Sequence, residues 1–426
     1  MFNISALMTD REMSGGRITA PRFHLPHRGG IVTERYTRKM SFNERLFVVG
    51  NEIYPPVANQ LFFDGVGELD RSRWIKAVAV ASEANPGSRV VLEGHLGFSR
   101  WVDSGVAPRV REVDGSHWNG LGPEGAPFLL EPLPYREPPT CEVVLIQGSP
   151  LRVVFRTHHG VMDARGTLVW ATDIFRALRG ETVIGSCSTL TDVELVKSFQ
   201  KKMRKPFPTE HIPPSGRAAT DGEGVLWKRR HVPGKFSRVL PQCARLLAQE
   251  AWRHSDGIVR FGIPVDLRPR REGLRSTANL SFALYIEIKP ETTVEQIAAD
   301  IAFQLKNGYE GMLSPGDELV NHVPLALLRS QARRIIRKRH TQGIYSLSGV
   351  LSNLGREDLA RYEGGGFKAT GFWAIPPRNE YHPLFLVMAG YGDNLELILS
   401  MPKILADGGR LDEILERLAQ GVQKID

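Results

Sequence analysis

The stretch Arg156-Thr-His-His-Gly-Val-Met-Asp-Ala-Arg-Gly166, "RTHHGVMDARG", places two adjacent histidines, an aspartate and two glycines straight after an apolar run. Upstream, "CEVVLIQGSPLRVVFRTHH" reads as two strands, Cys141–Gln147 and Leu151–Thr157, turned at Gly148-Ser149-Pro150. Downstream, "GTLVWATDIFRALRG" sets Leu168, Ala171, Ile174, Phe175 and Leu178 at helical spacing and stops at Gly180. His158 and His159 are therefore expected at a strand exit, in the loop that leads into a helix.

Working outward, "NQLFFDGVG" is a strand. "DRSRWIKAVAVASEANP" is a helix with Asp70 as its cap, and Trp74, Ala77, Val78 and Ala81 on one face. "SRVVLEGHLGFSRWVD" returns as extended chain. Residues 181–224 are the linker candidate, because "FPTEHIPPSGRAATDGEG" mixes Pro, Gly and charge without an apolar period. Beyond it, "SRVLPQCARLLAQEAWRH", "VEQIAADIAFQLKNGY" and "RLDEILERLAQGVQKI" are helices; "IVRFGIPVDL", "NLSFALYIEI", "GIYSLSGVLSNLG", "YHPLFLVMAGYG" and "LELILSMPK" are strands. The expectation is an α/β protein of two lobes, residues 1–180 and 225–426, joined by 181–224.

The 426 residues are too many for one ordinary core. With 42% hydrophobic and 24% charged residues the chain is of globular type. No run of 18 apolar residues occurs, so no membrane span is expected. "MFNISALMTDREMSGG" lacks the features of a secretory signal and reads as a loose lead-in. Three scattered cysteines argue against a disulfide framework and point to a reducing cytoplasm. The net charge of +8 is partly gathered in "KSFQKKMRK" (197–205) and "RSQARRIIRKRH" (329–340). In the second cluster Leu328, Ala332, Ile335 and Ile336 mark an apolar helix face, which leaves Arg329, Arg333 and Arg337 elsewhere. Those arginines are either a solvated face or a docking patch for phosphate or an acidic protein. No nucleic-acid-binding motif accompanies them.

A neutral imidazole can take a proton from a hydroxyl or amine that attacks a carbonyl, an effect of about 10²–10⁴-fold. A histidine pair can equally be a polar strand exit. Asp163 either caps the next helix or fixes backbone or a cation near the imidazole, while Gly160 and Gly166 allow a tight turn. The sequence has no G-x-S-x-G, P-loop or H-E-x-x-H, and the histidine pair has no third ligand at a telling spacing, so no metal site is expected. A base without a protein nucleophile favours direct transfer to an acceptor.

"HHGVMD" resembles the H-H-x-x-x-D-G signature of the chloramphenicol acetyltransferase-like superfamily, which includes nonribosomal peptide condensation domains and polyketide-associated acyltransferases. The opening strand–helix–strand, "IPVDLRPR" with "TANLSF", and "LSNLG" extend the likeness over residues 40–420. The resemblance implies two similar lobes in a V-shaped pseudo-dimer around a central tunnel. His159 is then the base, beside His158. Asp163 pairs with Arg268, and Asn353 lies across the tunnel near the developing oxyanion, where a lost donor costs roughly 3–4 kcal/mol. Gly160, Gly166, Asn279 and Ser352 are structural at that site. Ser352, Asn353 and Asn279 can also be mere strand-end and turn residues. Ala164 replaces the motif glycine, with reshaping of the loop as the expected consequence.

The function this implies is a free-standing condensation-type acyltransferase. Its donor is a phosphopantetheine thioester on an acyl- or peptidyl-carrier protein acting in trans, its acceptor a small amine or alcohol, and no cofactor stays bound. Coenzyme A as donor, or a silent carrier-binding module, are the alternatives. Arg329, Arg333 and Arg337 then become the expected docking cations.

Overall fold

The computed structural model describes residues 35–206, 210–218 and 222–425; the lead-in expected at the N-terminus lies outside them. The chain opens with β1 (Thr37–Lys39), α1 (Phe42–Ile53), β2 (Ala58–Gly67), α2 (Arg71–Ala84), β3 (Val90–Glu93), β4 (Arg100–Asp103) and β5 (Arg109–Asp114). The hairpin and helix around the histidines follow as β6 (Cys141–Gln147), β7 (Leu151–His158) and α3 (Ala164–Leu178). Next come α4 (Asp192–Phe199), β8 (Val225–Pro233), α5 (Val239–His254), β9 (Val259–Asp266), β10 (Ser281–Ile288), α6 (Val294–Lys306) and α7 (Leu325–Gln342). The chain closes with β11 (Gly349–Glu357), β12 (Glu363–Gly364), β13 (Phe367–Ile375), β14 (Phe385–Tyr391), β15 (Asn394–Pro402), α8 (Lys403–Ala406) and α9 (Arg410–Ile425).

Local signals start the helices. The Asp70 carboxylate accepts the N–H groups of Ser72 (2.8 Å) and Arg73 (3.3 Å). Ser41 with Glu44, and Thr191 with Glu194, each form a reciprocal capping box. The second box starts α4 inside the segment expected to be a linker, so that stretch is not structureless: eight residues of it are helix. The segment expected as one extended return, 88–103, is instead the two short strands β3 and β4, which pair antiparallel.

Two six-stranded sheets organise the molecule, in the orders β12-β13-β2-β7-β6-β5 and β10-β9-β11-β14-β15-β8; β1-β4-β3 form a small third sheet. Each large sheet has its own buried core, so the chain folds as two sheet-rich lobes. The lobes are not separate in sequence. β13, from the second half of the chain, pairs along β2 from Phe367↔Gly67 to Ile375↔Gln60, so residues 363–375 belong to the first sheet despite the expected boundary at 225. The first core also takes in Val387, Ala389 and Ile398 of the second sheet. Arg229 of β8 bonds Asp64 of β2 at 3.1 Å and Glu396 of β15 at 2.8 Å, a further tie between lobes. A third cluster packs Phe42, Leu46 and Val49 of α1 with Leu328 and Ala332 of α7 and Phe282 of β10. Among the described residues no helix is long and apolar enough to cross a membrane.

Candidate active site

β7 delivers the two histidines to opposite fates. His158 pairs in register with Ala58 and is fully buried. Its Nδ1 accepts the Gly160 N–H at 3.0 Å, which puts the proton on Nε2, and Nε2 meets no polar partner. The rings of Trp101 and Tyr135 lie about the imidazole with centroids 6.3 and 6.0 Å away. Burial lowers its pKa to about 3. Grouped with the catalytic residues but expected to have its ring held by neighbouring backbone, His158 is fully buried and holds the loop by its acceptor nitrogen.

His159 turns outward and is partly exposed. Its backbone N–H donates to the Val57 carbonyl at 3.0 Å, and its ring stacks on Phe47 of α1 at 3.8 Å and 19°. Asn279 Nδ2 donates to the His159 carbonyl at 2.7 Å and stands 3.3 Å from Nδ1. Ser281 Oγ donates to Asn279 Oδ1 at 3.0 Å, which fixes that amide orientation. Burial lowers the imidazole pKa to about 4, against the pull of Asp163 and of the backbone carbonyls of His159 itself and Met162.

Asp163 does both things weighed for it. As N-cap of α3 its Oδ1 accepts the Gly166 N–H at 2.6 Å. Arg268 grips both oxygens at 3.0 and 3.1 Å, and the Leu280 N–H adds a fourth bond at 2.7 Å. The guanidinium also donates to Asp266 and to the carbonyls of Ser276 and Ala278. This pair is buried and satisfied on both sides, so the aspartate is a clamp rather than a proton carrier.

Ala164 is the first residue of α3 and does not adopt positive φ. A helical position suits alanine, so the residue is accommodated there without strain. Gly160 sits in the tight turn expected of it, closed by the Val161 N–H on the His158 carbonyl at 2.8 Å, whereas Gly166 lies inside α3 and serves packing; neither adopts positive φ. A Cβ on Gly166 would stand 2.2 Å from the Thr277 carbonyl oxygen, and one on Gly160 3.1 Å from the Glu44 carbonyl oxygen. Arg165 reaches across to the second lobe, bonding Glu357 and the Leu354 carbonyl of β11. The histidine segment is thus held from the second lobe at two successive points.

Sequence reasoning missed what lies beneath. Arg38 pairs with Glu44 and donates to the Val161 carbonyl at 2.9 Å; Trp101 Nε1 donates to Glu44 at 3.1 Å, and Asn43 to Asp192 at 2.8 Å. Burial raises Glu44 to about 7 and Asp192 to about 6. No spacing in the sequence links residues 38, 44, 161 and 192, and Phe47 carries no signal beyond its place on an apolar helix.

Asn353 is not beside His159. Strand alternation decides this. Asn353 pairs with Met388 and shares the face of Leu351, which packs into the second core against helices; Ser352 pairs with Val387, which faces the first lobe. The exposed Asn353 lines a cavity of about 360 Å³ near α5 and α6. A second cavity, about 670 Å³, lies along Ser188–Leu190 and Arg271–Arg275, and neither cavity is lined by a motif histidine. Of the docking cations, Arg329 is engaged with Glu52 of α1 at 3.4 Å, whereas Arg333 and Arg337 stand exposed on α7.

Comparison with solved structures brings the same architecture. The starter condensation domain of rhizomide synthetase, in complex with C8-CoA and Leu-SNAC, aligns over 91% of this chain and 94% of its own, with TM-score 0.62 and 13% identity. The chain has the condensation-domain fold. The first condensation domain of the calcium-dependent antibiotic synthetase, in complex with a substrate analogue, matches at TM-score 0.63 and 12% identity over 92% and 96% of the two chains. The condensation domain of the Monacolin K polyketide synthase matches at 0.59 and 11% over 91% and 97%. No family model and no curated protein sequence matches the chain.

Proposed function

We propose that this protein is a condensation-type acyltransferase. It moves an acyl group from a phosphopantetheine or coenzyme A thioester to an amine or alcohol. The observation that carries this reading is the contrast between a partly exposed, neutral His159 and the sealed Asp163–Arg268 clamp beside it. An acceptor N–H or O–H that reaches the His159 ring gives its proton to an imidazole nitrogen as it attacks the thioester carbon. The tetrahedral intermediate then collapses, the C–S bond breaks, and the imidazolium returns the proton to the departing thiolate, so the ring ends neutral. Phe47 and Asn279 hold the ring in one plane during both transfers. The complexed neighbours, one with an acyl-CoA and an aminoacyl thioester mimic, support thioester donors and amine acceptors.

Intact-mass analysis with panels of acyl-carrier and acyl-CoA donors and of amine and alcohol acceptors tests the proposal. Wild type gives a product, and His159→Ala gives about 10²-fold less or lower. Undiminished product from His159→Ala ends the assignment. Arg333 and Arg337 are proposed to meet an acidic carrier protein. Reversing both to Glu raises the carrier KM several-fold at low salt, about the reach of electrostatic steering, and the difference fades as salt rises.

A further inference from the structure

We infer that the second lobe holds a separate binding site for a small amphipathic carboxylate, in the cavity at the carboxyl end of β11. β11 and β14 run parallel, and the outer end of parallel strands is where a sheet opens a crevice. Here a bulge widens it. Asn353 pairs with Met388 and Arg356 with Gly390, so Leu354 and Gly355 stand opposite Ala389 alone, with Gly355 at φ +75°. The resulting space of about 360 Å³ falls within the range of small-ligand pockets, about 300–1,000 Å³.

The lining states the ligand's chemistry. Phe236, Leu240 and Ile301 supply an apolar wall. Arg238 and Arg356 supply positive charge, and no carboxylate lines the cavity. Arg238 is spoken for by Glu295 at 3.2 Å, on an exposed surface. Arg356 makes no ion pair among the described residues and is exposed. An unpaired guanidinium at the rim of an apolar cup fits a planar carboxylate carrying a hydrocarbon or aromatic body. Asn353, expected beside the histidine, is on this wall instead, with Oδ1 turned to the Gly355 N–H at 2.9 Å and its amide N–H groups left for the ligand. Strand alternation puts Asn353 on the helix-covered side of β11 with Leu351, while Arg165 of α3 reaches the Leu354 carbonyl next to Gly355. No residue of the histidine segment 158–166 lines this cavity, so it is a separate site from the one proposed at His159.

Isothermal titration of the whole chain with octanoate and with indole-3-acetate tests the site. The expected result is saturable binding that weakens with salt and is at least about tenfold weaker, ~1.4 kcal/mol, in Arg356→Glu and in Ala298→Phe, which fills the cup from α6. Octan-1-ol, with the same body and no charge, binds more weakly than octanoate. Both variants are checked for an unchanged unfolding midpoint, and Ala298→Ser, which leaves the space open, retains binding. Absence of saturable binding of either acid, or octanoate binding equal in wild type and both disabling variants, overturns the site; the second outcome places octanoate elsewhere, such as beside His159.

Discussion

Two segments of this protein carry polar side chains of similar promise, 158–166 at the exit of β7 and 351–355 within β11. Their surroundings differ. In the first, every charge is answered: Asp163 accepts four hydrogen bonds, and Arg268 is bound on all sides. In the second, Asn353 bonds only its own loop and faces an open cup rimmed by arginine. What the tertiary structure packs against a polar segment decides whether its charges are clamped, as at 158–166, or left open, as at 351–355.

The largest test of that contrast is at the clamp. Asp163→Ala removes the buried partner of Arg268, in a pair where both side chains are under 10% exposed, and leaves it only the more exposed Asp266, so the loss is expected toward the lower end of the about 3–5 kcal/mol that breaking a buried pair costs. Urea unfolding reads this directly, and a loss below about 1 kcal/mol shows that the clamp is solvated. The next test is Gly166→Ala. Its Cβ meets the backbone oxygens of Thr277 and Ala278 at 2.2 and 3.0 Å, and a backbone cannot rotate away as a side chain can. The expected loss is about 1–3 kcal/mol in the same measurement.

A pH series sharpens the contrast further. A base with pKa lowered to about 4 stays neutral through the physiological range, so the acid limb of kcat/KM falls at a midpoint near 4. A midpoint near 6.5, the ordinary histidine value, would show a solvated ring. The same shift bears on stability. The unfolded chain protonates its histidines first, so the penalty from His158 and His159 is absent above pH 6.5 and grows as pH falls toward 3–4. Glu44 opposes it, because its raised pKa gives a contribution that is fullest below 4.5 and is lost as pH rises through about 7. The smallest effect is expected at the other segment. Asn353→Ala, at an exposed residue, changes stability by no more than ~0.5 kcal/mol, and a cost like that of Asp163→Ala would erase the distinction.

Much of this was legible along the chain. The apolar runs of β6 and β7, the Asp70 cap, the amphipathic α3 and the Gly-bounded turns are local patterns, and they fold as their periodicity requires. The placement of His158 and His159 at a strand exit follows from the same patterns, as does Asp163 at the cap of α3. The missed helix α4 had a capping box in plain view, obscured by the Pro- and Gly-rich stretch that follows it. The transfer of β13 to the first sheet had no local signal, because a strand's alternation says which faces it has and not which neighbour it joins.

The sequence by itself determined most of the elements, the two-lobed α/β character and the place of the histidine segment at a strand exit, since these rest on periodicity and short-range hydrogen bonding. Only the tertiary structure decided which histidine is sealed, that Phe47 and Asn279 flank the other, and that Asn353 turns from it. Those outcomes depend on residues tens to hundreds of positions apart being packed together, and no local pattern encodes the face a distant strand or helix will cover.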